Sequence, residues 1–125
     1  MNPAQITKLA AIGVKTTAQM LSAGRTADSR AALARQAGVP VKVVLELVKL
    51  SDLARLPGVK GIRARLYYQA GVDTVEKLAA YEPDVLLKLT AEFVRSTAFP
   101  GIAPLPKEVS STIATARMLP KLVEW

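Results

Sequence analysis

Leu53-Ala54-Arg55-Leu56-Pro57-Gly58-Val59-Lys60-Gly61-Ile62-Arg63-Ala64-Arg65-Leu66 reads as two helices joined by a tight hairpin. Pro57 cannot continue a helix, so the spacing predicts that the first one ends near Leu56. Gly58 supplies the backbone angles that a hairpin of this length demands. Ile62 and Leu66, four residues apart, are expected to share a face of the second helix. Lys60, Arg63 and Arg65 fall at or just past its N-terminus, where unpaired amides and the helix dipole favour an anion. Arg63 and Arg65 are two apart and cannot point the same way, so at most two of the three cations follow one phosphate track.

Outward from the hairpin, helical periodicity bounded by Gly, Pro or Thr dominates, and no segment sustains the alternation of a half-buried strand. The expected fold is all-α, a compact bundle of short helices. Val41, Val44, Leu45 and Val48 form an apolar stripe after Pro40, with Lys42, Glu46 and Lys49 on the other side. Pro83 opens a helix with Leu86, Leu89 and Phe93 on one face, and Pro106 another with Val109, Ile113 and Ala116. Pro100, Pro104 and Pro106 stiffen an uncharged connector between them. Gly13-Val14-Lys15-Thr16-Thr17-Ala18-Gln19-Met20 aligns without a gap with Gly71-Val72-Asp73-Thr74-Val75-Glu76-Lys77-Leu78, 58 residues later. In each copy Gly ends a helix and Thr caps the next, and Gln19 completes a capping box in the first. The reading is a single domain over 1–125 with two related halves, about 5–50 and about 51–122, the clearest hairpin lying at 53–70.

The 125-residue chain is half hydrophobic and carries a formal charge of +7, which suits one folded domain and excludes general disorder. The charge is polarised. Residues 1–71 hold eleven Lys and Arg against three Asp and Glu, and residues 72–125 hold six against seven, giving +8 and −1. Such polarity favours a polyanionic partner. The chain has no Cys and no His, which removes thiolate and imidazole nucleophiles, disulfides and the usual zinc, haem and iron–sulfur ligand sets. No nucleophile–base pair, metal set or phosphate-cradling glycine loop of an enzyme is present, so the expectation is no enzyme and no metal. Lys8 and Lys15 interrupt the N-terminal segment and no stretch reaches the length of a membrane span, so a cytoplasmic location without membrane contact is expected.

Leu56-Pro57-Gly58-Val59 followed by Ala64 resembles the helix-hairpin-helix family, and Ala70-Gly71-Val72-Asp73-Thr74-Val75-Glu76-Lys77-Leu78-Ala79 is similar to the helix that follows this motif in recombinase N-terminal domains. The whole chain further resembles a bacterial domain-of-unknown-function family of tandem helix-hairpin-helix proteins. That pattern runs through Gly13-Val14-Lys15-Thr16, Arg30-x-x-Leu33-Ala34 and Ser51-Asp52-Leu53. The resemblance implies that hairpin amides at Gly58, Val59 and Lys60 hold a DNA phosphate without reading bases, that a monovalent cation sits on hairpin carbonyls, and that two hairpins straddle a duplex. No other cofactor is implied. Two departures stand out: Lys60 occupies the usual second Gly position, with Gly61 as the substitute in a hairpin one residue longer, and Ile62 replaces a common Lys. The candidate nucleic-acid contacts are therefore Gly58, Val59, Lys60, Gly61, Arg63 and Arg65, with a second hairpin at Gly13, Lys15 and Thr16.

Each feature has a second reading. Gly58 and Gly61 would equally let two helices pack closely, and the same hairpins would then serve a protein-interaction or scaffold module with a protein partner. Arg25, Arg30 and Arg35 spread around their helix as solubility charges. Tyr67 and Tyr68 would stack on bases or sit in the core, and Asp73 with Glu76, and Glu82 with Asp84, suit helix starts better than acid–base chemistry. Leu122, Val123 and Trp125 would cover the core or meet a partner.

Overall fold

The computed structural model describes residues 3–125. Among them it holds eight helices and no strand, the expected all-α class. They are α1 (Pro3–Ala11), α2 (Thr17–Ala23), α3 (Ala27–Ala37), α4 (Val41–Leu53), α5 (Gly61–Gln69), α6 (Val75–Ala79), α7 (Pro83–Thr97) and α8 (Pro106–Met118). No described helix is long and apolar enough to cross a membrane. The chain divides into two compact units, Met1–Asp52 with Lys121–Trp125, and Leu53–Pro120.

Sequence chemistry accounts for most helix starts. Thr16, Thr26 and Thr74 each accept the backbone N–H three residues on, and Gln19 and Ser29 return the bond to the cap in the first two cases. Pro83 and Pro106 occupy the first helical turn of α7 and α8, where the missing N–H would have had no helical partner. Gly13 and Gly71 adopt nearly equal left-handed angles, φ 92° and 94°. Behind them Val14 N–H donates to Leu9 O at 3.0 Å and Val72 N–H to Tyr67 O at 2.9 Å, so both turns close by the same pattern.

In the first unit α3 packs against α1 and α2. Its core gathers Leu9, Met20, Leu33, Ala34, Val39, Val44 and Val48 with Val123 from the far end of the chain. Val44 and Val48 are fully buried as the stripe on α4 predicts, whereas Val41 stands 52% exposed because it starts the helix, a turn before the core begins. Residues 120–125 have no regular structure, and Glu124 N–H donates to Arg25 O at 2.9 Å. Arg30 overturns its reading as a solubility charge, for it is 4% exposed. Its guanidinium donates to Gly24 O at 2.9 Å and Trp125 O at 3.3 Å and lies 5.5 Å from the centre of the Trp125 ring. Two carbonyls and an aromatic face thereby compensate a cation taken out of water.

Gly24 is a close-packing glycine that the sequence does not advertise. A Cβ built there would meet Val48 Cγ2 at 2.3 Å. Gly24→Ala is therefore expected to cost about 1–3 kcal/mol by overpacking. Val48→Ala in the same chain should recover part of that loss, and a double-mutant cycle by chemical denaturation measures the coupling.

In the second unit α8 packs against α6 and α7, and Val109, Ile113 and Ala116 are buried as their spacing predicts. The hairpin departs from expectation in two places. Helix α4 stops at Leu53, not near Leu56, because Pro57 has no N–H to donate to the Leu53 carbonyl four residues back, and Leu56 N–H turns to that carbonyl instead at 3.1 Å. Leu56 instead sits in a turn with its side chain 1% exposed. Leu66 is fully buried, but Ile62, one turn earlier on the same face, is 55% exposed.

Candidate nucleic-acid interface

The hairpin is built from two turns in succession. Leu56 N–H donates to Leu53 O at 3.1 Å and Val59 N–H to Leu56 O at 3.0 Å. Leu56 and Val59 enter the core while Pro57, Gly58 and Lys60 face outward. Gly58 is left-handed, φ 80°, and requires glycine or strain. Lys60 is extended, φ −94° and ψ −177°, a conformation open to any residue, so a lysine in place of glycine at this position carries no backbone strain. Gly61 has open space where a side chain would go and no left-handed angle.

Lys60 is the N-cap of α5, and no side chain caps that helix. The contrast with the other starts is chemical: α2, α3 and α6 have a threonine cap, and α7 and α8 begin with proline. Pro3 opens α1 and Pro40 immediately precedes α4. Helix α5 has neither device, and Gly61 and Ile62 present its first turn at the surface between the exposed Lys60 and Arg65. An exposed helix start of this kind is a ready anion site.

Arg63 is placed differently from Lys60 and Arg65. Its Nε lies 2.7 Å from Glu108 Oε2, its Nη2 donates to Glu108 Oε1 at 3.3 Å, and Nη1 donates to Ile102 O. The guanidinium is thus committed to α8 and to the connector before it. Beneath this pair Tyr67, expected at either a core or a stacking position, is fully buried. Burial pushes its phenol up to about 12; the Glu108 carboxylate adds to the rise, while Arg63 and the nearby Thr112 hydroxyl oppose it. The phenol oxygen meets no partner at good hydrogen-bond geometry.

The folded-state value lies above the ordinary 10.0, so the unfolded chain releases this proton first. The stability linked to Tyr67 is complete below about pH 10 and is lost as pH rises toward 12. A tyrosinate absorbance titration should show a component near pH 12 that Tyr67→Phe removes.

The turn at Gly13, Lys15 and Thr16 offers less. Lys15 N–H and Thr16 N–H both donate to Gln19 Oε1, at 2.7 and 3.1 Å, so the capping box occupies the amides that a phosphate would need. The acidic pair at Asp73 and Glu76 divides as well. Asp73 lies 2.8 Å from Lys77 Nζ and raises the lysine's pKa, while Thr74 does the capping. No cluster of three or more metal-ligating side chains occurs among the described residues. The family model of the domain of unknown function DUF4332 matches residues 1–119. No curated protein and no solved structure matches the chain.

Proposed function

The chain belongs to the DUF4332 family, a membership that assigns no activity, and from its geometry we propose that it binds DNA weakly and without sequence preference through a helix-hairpin-helix at 53–69. The exposed α5 start between Lys60 and Arg65, with neither threonine nor proline to satisfy it, carries the reading. Amides of Gly61 and Ile62 would hold a phosphate oxygen, and Lys60 and Arg65 would add affinity by releasing counterions. Such contacts position a protein on the backbone and read no base. Arg63 supports the hairpin from behind through Glu108. No bound cation is needed for this contact, and no chemistry is assigned.

The matched turns at Gly13 and Gly71 support two related halves, but with Gln19 on the first turn's amides one hairpin does the binding. A second reading, a protein-interaction module, is favoured by Ile102 and Leu105, 84% and 70% exposed on the connector. Fluorescence anisotropy with a labelled duplex and its single strand at about 50 and about 200 mM salt separates the two. Saturable binding that weakens at least tenfold, roughly, between those salts is expected from several phosphate contacts. Absence of binding to both ligands at the lower salt rejects the proposal in favour of the interaction module.

A further inference from the structure

Beside the α5 start runs an apolar groove lined by Ile62, Arg63, Phe99, Pro100, Gly101 and Ile102. Arg63 fixes its far wall by donating to Ile102 O. Gly101 lets the two walls meet, since a Cβ there would lie 3.3 Å from Ile62 Cδ1 and 2.8 Å from Phe99 Cε1. Ile62 and Ile102 remain 55% and 84% exposed. The carboxylate at this groove, Glu108, is neutralised by Arg63, and the exposed charges flanking Ile62 along the chain are Lys60 and Arg65. An occupant complementary to this surface joins an anionic group to a flat apolar one.

We infer that the groove takes the exposed base of a nucleotide whose phosphate sits on the α5 start, so that single-stranded DNA is preferred to an intact duplex. The inference rests on the DNA-binding proposal above and adds the strandedness of the ligand. In a duplex the base faces are stacked and unavailable, and Ile62 and Ile102 would stay in water. On a single strand they cover apolar base surface, which is sequence-tolerant because every base has such a face.

The test uses fluorescein-labelled oligothymidine and a labelled duplex of matched charge, with the whole chain and its Ile102→Ser variant. The Ile102 side chain is 84% exposed, uncharged and outside the hairpin, so circular dichroism and the salt slope should be unchanged. The strand should bind roughly tenfold tighter than the duplex, and the variant should lose most of that difference while keeping duplex affinity. Equal affinities, or an equal loss on both ligands, overturn the inference and leave the hairpin proposal standing. No binding of either ligand overturns both. Self-association of the chain that the same substitution disperses assigns the groove to a second copy and also overturns the inference.

Discussion

Replacing Lys60 and Arg65 together by glutamate is expected to lower DNA affinity a hundredfold or more, roughly, at moderate salt, with the fold intact. The size follows from two phosphate neighbours turning from attraction to repulsion at a site whose remaining contacts are backbone amides. The slope of log affinity against log salt should fall by about two. Both side chains are exposed and neither makes an ion pair with the core, so the thermal midpoint should move little. Arg63→Met provides the contrast. It breaks the Glu108 pair and the bond to Ile102 O, and its primary cost should fall on stability. Unchanged affinity in the double charge reversal, measured by anisotropy, removes the hairpin from the mechanism.

The largest stability effect is expected at Val123. Its side chain is 1% exposed within the first unit's core, and an aspartate there would place a carboxylate among apolar side chains. Removing apolar contacts and burying a charge should together cost at least about 3 kcal/mol. For the milder Val123→Ala only the truncation cost remains, about 2 kcal/mol. Trp125 is the chain's single tryptophan and lies 5.5 Å from Arg30 Cζ and 5.7 Å from Lys49 Nζ. Its emission should shift to that of a solvated indole in Val123→Asp, ahead of global unfolding. Native-like emission and an unaltered melting temperature in Val123→Asp would show that the tail does not hold the unit together.

Local chemistry was readable where one residue decides the outcome. Thr16 with Gln19, Thr74, Pro83 and Pro106 mark helix starts from sequence alone because capping and proline geometry act within one turn. The stripes Val44–Val48 and Val109–Ile113–Ala116 were legible because they repeat through whole helices. What failed depends on distant parts of the chain. Ile62 shares a helix face with Leu66, yet the core does not extend over it. Arg30 looks like any surface arginine until Trp125, ninety-five residues on, provides its carbonyl and ring. Gly24 caps the end of α2, but its close approach to Val48, which is what excludes a side chain there, lies outside that local turn. At the candidate site the positions of Lys60 and Arg65 follow from the motif. The diversion of Arg63 to Glu108, forty-five residues away, and the use of Gln19 by Lys15 and Thr16 required side-chain geometry.

The first unit is discontinuous, since Lys121–Trp125 joins it across the whole of Leu53–Pro120. Residues 53–120 close through contacts within one continuous stretch. The first unit closes only when Val123 returns to a core built from residues 9–48, a loop on the order of 70 residues, so that contact carries more closure entropy than the helix pairs of the second unit. Contacts of such high sequence separation form late, and the docking of the tail is therefore expected to be the slow step in completing the first unit.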